Sequence, residues 1–212
     1  MNPIFEFLFE QYKAYEPYEI VLEGIAFVFT LLSVWFSKKN SIWVYPTGMV
    51  STAIFVFILL KGGLLGEVLI NGYYFIMSVY GWYIWTRKVN VNQYTPISRT
   101  TKKEHQLSVL IFVGSLIFVY FIYRTFDMWT NWTAYVDTLT TAIFFVGMWL
   151  MAKRKIENWL YWIVGDIISV PLYFYKGYTL SSLLYLILTI IAVFGYFAWK
   201  KSLNKNLEAQ LR

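Results

Sequence analysis

Residues 157–177 read ENWLYWIVGDIISVPLYFYKG. The stretch is apolar enough to cross a bilayer, yet it opens on Asn158, carries Trp159 and Trp162 about a turn apart, and holds Asp166 at mid-length. A carboxylate at the centre of a spanning helix costs roughly 2.5–3.5 kcal/mol on insertion scales. A span that only has to be apolar has no use for it. Asn158, Trp162, Asp166 and Ser169 fall at i, i+4, i+8 and i+11, so one helix face carries all four. Indole faces attract a cation by about 0.5–2 kcal/mol each, and a carboxylate adds to that. The face suits a flat, polar or cationic ring compound. A plainer reading stays open here: the two indoles belong to an interfacial belt, and Asp166 bonds a neighbouring helix.

The rest of the chain supplies the membrane context. Of 212 residues, 58% are hydrophobic and 14% charged, with mean hydropathy +0.52. Soluble domains sit near a quarter charged, so this composition points to a polytopic membrane protein. Apolar runs cover residues 20–36, 42–60, 64–85, 107–123, 136–152, 159–175 and 180–199. Backbone groups in hydrocarbon must be satisfied within the span, so these runs predict seven transmembrane helices and an all-α fold. Ile4, Phe5, Leu8 and Phe9 have the character of a short interfacial helix ahead of them, with a disordered or packed terminus an equal alternative.

The net charge of +6 follows topology. With seven spans, one face holds Lys13, Lys61, Arg124 and Lys176, and the other holds the remaining 14 of the 18 Lys and Arg. The positive-inside rule places the 14 in the cytoplasm, with the N-terminus outside. That removes the nucleic-acid reading of the basic excess. No cysteine is present and the single histidine, His105, falls in the expected loop between halves. No metal cluster, thiolate chemistry or Ser–His pair is expected, and there is no G-x-x-x-x-G-K-[ST] loop. No cofactor and no catalytic activity are expected, although Glu67 and Asp166 leave a membrane-embedded acid–base enzyme as a distant alternative.

The two ends of the chain resemble each other. An offset of 114 pairs Glu23 with Asp137, Trp35 with Trp149, Gly63 with Gly177, Gly81 with Gly195 and Trp85 with Trp199. Gly48 pairs with Gly165 at 117, which implies three extra residues before the sixth span. Three spans plus one linker span plus three spans makes a pair of parallel repeats, an arrangement that belongs to transporters with a site between the halves. The expected segments are 1–19 (extracytoplasmic), 20–86 (first three-helix repeat), 87–106 (cytoplasmic loop), 107–124 (linker helix), 134–200 (second repeat) and 201–212 (cytoplasmic tail).

Other polar positions within the spans fill out the candidate site. In the third span, Glu67, Asn71 and Tyr74 lie at i, i+4 and i+7 on one face. An amide and a phenol on one face serve a polar ligand, or equally glue between helices. The second span carries Trp43 and Tyr45 beside Pro46 and Gly48, a pair able to kink a helix. The substrate-binding set expected from these patterns is Trp43, Tyr45, Asn71, Tyr74, Asn158, Trp159, Trp162 and Asp166.

The stretches WVYPTGMVSTAIFVF, YYFIMSVYGWYIW and KIENWLYWIVGDIISVPLYFYKG resemble the PnuC-type vitamin transporters, over roughly residues 18–201. The resemblance implies a SWEET-related 3+1+3 bundle in the bacterial inner membrane, assembled as a homotrimer. It implies facilitated diffusion of an unphosphorylated vitamin precursor, nicotinamide riboside first and thiamine or riboflavin as alternatives, trapped afterwards by a cytoplasmic kinase. The small-molecule substrate, the lipid bilayer and further copies of the chain are then the partners. Carried onto this chain, the Trp-x-x-Trp motif falls on Trp159 and Trp162. An Asn-x-x-Tyr pattern falls on both Asn71/Tyr74 and Asn158/Tyr161.

Overall fold

The computed structural model describes residues 16–90 and 93–210, so the expected interfacial helix at residues 4–9 lies outside the described residues. Among the described residues there are seven helices: α1 (Pro17–Lys38), α2 (Val44–Lys61), α3 (Leu65–Thr86), α4 (Lys102–Thr125), α5 (Thr133–Ala152), α6 (Asn158–Tyr175) and α7 (Thr179–Gln210). A short antiparallel ribbon, β1 (Lys88–Asn90) with β2 (Gln93–Tyr94), follows α3.

Local chemistry explains the helix ends. Pro17 opens α1, where its missing N–H costs nothing, and the Glu19 carboxylate accepts from the Glu16 N–H at 2.9 Å. Thr101 and Glu104 form a reciprocal capping box at the start of α4. That box draws the helix back to Lys102, so His105 sits in the first turn of α4 and not in a loop. Pro46 falls in the first turn of α2, where N–H groups have no intrahelical partner, so it needs no kink. Gly63 (φ 71°) and Gly177 (φ 82°) end α2 and α6 in the left-handed region. Asn40 (φ 55°) and Arg154 (φ 57°) do the same in the turns after α1 and α5. The tail expected at 201–212 continues α7 as helix to Gln210.

Five helices, α1, α2, α4, α5 and α7, are long and apolar enough to cross a membrane by length and composition. The other two, α3 and α6, are diluted by Glu67 and Asn71 and by Asn158 and Asp166. These two carry most of the expected site residues.

The packing has a regular plan. α2 packs between α1 and α3, and α6 between α5 and α7. The two triplets meet through α1 against α7 and α3 against α5, while α4 lies on α5. Equivalent helices therefore swap partners across the junction. α2 and α6 are both 18 residues long and start 114 residues apart. The three-residue insertion expected before the sixth span is absent, and the offset is 114 throughout. Gly48 is thus equivalent to Trp162, not to Gly165.

Candidate functional site

Two groups of side chains occupy the junction between the triplets. The first lies at the end that carries the basic turns. Tyr45, at 0% exposure, stands against Gly81, where an added Cβ would come within 2.3 Å of its ring. Trp159, at 1%, stands against Gly195 in the same way, at 2.5 Å. Tyr45 meets Trp85 edge-on at 5.2 Å, and Trp159 meets Trp199 edge-on at 5.6 Å. Trp85 then donates its indole N–H to the Met151 carbonyl (3.2 Å), and Trp199 donates to the Ser37 carbonyl (2.8 Å). Each partner in the first triplet is 114 residues from its mate in the second. The Ser37 hydroxyl reaches the Met151 sulfur at 3.4 Å, closing this end where the triplets meet. Edge-on aromatic pairs contribute about 0.5–1.5 kcal/mol each beyond burial, so this end is firmly packed.

The second group lies deeper along α3, α5, α6 and α7, and here the halves diverge. In the first half, the Thr30 and Ser51 hydroxyls bond at 2.7 Å. Their equivalents are Phe144 and Gly165, and the Phe144 ring lies directly on the glycine. In the first half, Ser33 approaches Gly48; in the second, the Trp162 ring approaches Gly147. The small polar filling of one half is replaced by aromatic rings in the other. Trp162 stacks on Phe144 at 5.4 Å, and Phe144 stacks on Tyr185 at 6.1 Å with 7° between planes. Tyr173 lies 4.9 Å from Tyr185. Across the junction, Tyr73 stacks on Phe145 at 3.8 Å, and Tyr74 meets the same ring edge-on.

Asp166 sits in this aromatic surround at 2% exposure, with no hydrogen bond or ion pair among the described residues. Tyr74 and Tyr185 lie near both Asp166 and Glu67. The nearby Lys176 is committed elsewhere, bonding Asp137 at 2.9 Å. Three further polar atoms on α6 are buried without a partner: Asn158 Oδ1, Trp159 Nε1 and Ser169 Oγ. Of these, Ser169 lies one turn beyond Asp166, whereas Asn158 and Trp159 lie at the packed end.

The expected site residues are distributed unevenly. Tyr74, Trp162 and Asp166 converge on the aromatic group. Tyr45, Asn158 and Trp159 belong to the packed end, where the Asn158 amide donates to the Lys155 carbonyl at 2.6 Å. Asn71 donates to the Glu67 carbonyl on its own helix at 3.0 Å. Trp43 is 59% exposed and makes no ring contact among the described residues. Sequence reasoning missed Phe144, Tyr173 and Tyr185. With 46 aromatics in the chain, nothing in spacing singles these out, although Tyr185 is the 114-offset mate of Asn71. A groove of about 670 Å³ opens laterally between α3 and α4 over Val68, Ile76 and Phe118, and does not involve Asp166.

Two helical triplets joined by a linker helix, with an unpaired buried acid and ring faces between them, define a polytopic membrane carrier. The chain belongs to the nicotinamide mononucleotide transporter family, whose pattern matches residues 20–201. It is 26% identical over 208 residues to the nicotinamide riboside transporter PnuC of Escherichia coli, covering 87% of each chain. It is 23% identical over 197 residues to the riboflavin/roseoflavin transporter RibM of Streptomyces davaonensis, covering 90% of this chain and 89% of that one. A crystal structure of the vitamin B3 transporter PnuC shares the fold, with TM-score 0.68 and 23% identity over 95% of this chain and 90% of that chain.

Proposed function

We propose that this chain carries nicotinamide riboside across the bacterial inner membrane. The observation that carries the substrate choice is Asp166: a carboxylate at 2% exposure with no partner among the described residues, near Tyr74 and Tyr185 and one turn beyond Trp162 on α6. An uncompensated buried charge costs several kcal/mol, and a cationic ring stacked on the indole offsets it. The nicotinamide ring of the riboside is permanently cationic. The thiazolium of thiamine shares that property, whereas the flavin ring is neutral, so Asp166 favours the first two over riboflavin.

The triplets act as parallel 3+1+3 repeats that rock about their junction, which the partner swap of α1/α7 and α3/α5 supports. The N-terminus lies outside and the C-terminus in the cytoplasm, in keeping with the placement of Lys and Arg. Uptake is facilitated diffusion, made directional by a cytoplasmic kinase that phosphorylates the product, and the working unit is a homotrimer. Glu67 and Asp166, the pair an enzyme would use, stand on α3 and α6 in different halves, and the relatives are transporters.

The test is counterflow in proteoliposomes loaded with unlabelled substrate. Labelled nicotinamide riboside accumulates, thiamine competes weakly or strongly according to ring fit, and riboflavin does not compete. Accumulation of riboflavin alone would replace this reading with that of the riboflavin carrier.

A further inference from the structure

The chain between α3 and α4 is pinned to one end of the junction. Ile97 is 4% exposed and packs into the core with Trp85, Trp199, Ile156 and Leu203. Ser98 exchanges backbone hydrogen bonds with the α5–α6 turn: its N–H donates to the Arg154 carbonyl (3.1 Å), and its carbonyl accepts from the Ile156 N–H (3.0 Å). Thr100 donates from its N–H and its hydroxyl to the Glu157 carboxylate, at 2.9 and 2.7 Å. Lys155 donates to the Ser98 hydroxyl (3.0 Å) and pairs with Glu104 (2.9 Å).

At the centre is Arg154. Its Nε donates to Asn40 Oδ1 at 2.9 Å and its Nη2 reaches the Asn40 carbonyl at 3.4 Å. Its Nη1 donates to the Thr95 carbonyl, and its guanidinium lies 4.1 Å over the Trp85 ring. Burial pushes the guanidinium below its ordinary pKa, and the nearby Tyr45 phenol opposes that; an Arg stays charged regardless. One cation therefore ties together the α1–α2 turn, the α5–α6 turn, the end of α3 and the strap. Asn40 and Arg154 are themselves 114-offset mates, both in the left-handed region, so the contact bridges the two halves. The first half has no matching strap, because α7 continues as helix where the chain after α3 turns back.

We propose that Arg154, Asn40 and the strap at 95–101 form a latch that holds this end of the carrier closed, and that opening at this end requires Arg154 to release Asn40 and Trp85. The inference rests on the reading of the chain as an alternating carrier. Its mechanical content is tested without substrate, so a failed uptake assay and a failed latch are separate results.

The chain has no cysteine, which gives a clean background for labelling. Ser37→Cys places a thiol at a position 1% exposed, behind the latch. In purified protein in detergent, a charged maleimide reports how often this end opens. Arg154→Ala is expected to speed labelling about tenfold or more, the change that loss of one charge-assisted hydrogen bond produces. Asn40→Asp supplies a carboxylate to the same guanidinium at a position where Asp tolerates positive φ, and is expected to slow labelling below that of Ser37→Cys alone. Faster labelling from a misfolded protein cannot imitate that slowing. Unchanged labelling in both variants, or faster labelling in Asn40→Asp with the protein monodisperse, would overturn the latch.

Discussion

Replacing Asp166 with Asn keeps the shape of the side chain and removes its charge. Asp166 is 2% exposed and unpaired, so its interaction with a bound cation is screened by protein more than by water. At an effective dielectric near 20, opposite charges about 4 Å apart interact by about 4 kcal/mol. Asn returns part of this as a neutral hydrogen bond of about 1 kcal/mol. The expected net loss is about 3 kcal/mol, or roughly a hundredfold weaker apparent affinity for nicotinamide riboside. Stability should move the other way. Removing an uncompensated buried carboxylate relieves desolvation, so the melting temperature holds or rises, as is usual for residues kept for function. The assays are competitive counterflow in proteoliposomes and thermal unfolding in detergent. Unchanged affinity together with a lower melting temperature would refute the argument, since that pair of results identifies Asp166 as a structural group.

Other substitutions address the remaining parts of the site. Trp162→Ala removes the ring stacked on Phe144 and is expected to abolish uptake in a protein that still elutes as folded; unchanged uptake would make Trp162 a belt residue. Gly195→Ala drives a methyl to 2.5 Å from the Trp159 ring, inside the ordinary carbon–carbon contact of about 3.5–4.0 Å, and overpacking of this kind costs about 1–3 kcal/mol. A fall in melting temperature of about 2–4 °C per kcal/mol follows, and Trp159→Phe in the same chain should recover part of it. Thr101→Ala removes the α4 cap and is expected to cost about 1 kcal/mol, read as faster amide exchange in the first turn of α4 with transport kept.

How much of this was legible beforehand depends on which physical constraint was at work. A spanning backbone must satisfy its own polar groups, so long apolar runs had one solution, and the seven helices appear where hydropathy placed them. The 114 offset was visible in Gly81/Gly195 and Trp85/Trp199 because each glycine has to admit a ring and each tryptophan has to bond a carbonyl of the other half. The carboxylate of Asp166 stood out as a candidate from its cost alone. Contacts between helices were a different matter. Tyr45, Trp159, Trp162 and Trp43 looked alike as aromatic residues near span starts, yet only packing makes the first two plugs, turns the third toward Phe144 and leaves the fourth exposed. Gly165 looked like the mate of Gly48, because a glycine match says nothing about the ring that needs it. Phe144 needs Gly165, and only the tertiary structure brings them together. Sequence alone therefore determined the spans and the costly acid, each a property of a single helix against lipid, and the internal offset, a property of residue identities repeated along the chain. The tertiary structure alone decided that the second half is aromatic where the first is small and hydroxylated, and that Arg154 ties the halves at one end. Those are contacts between side chains on different helices and turns, from Trp162 against Gly147 to Arg154 against Asn40, and no local pattern specifies them.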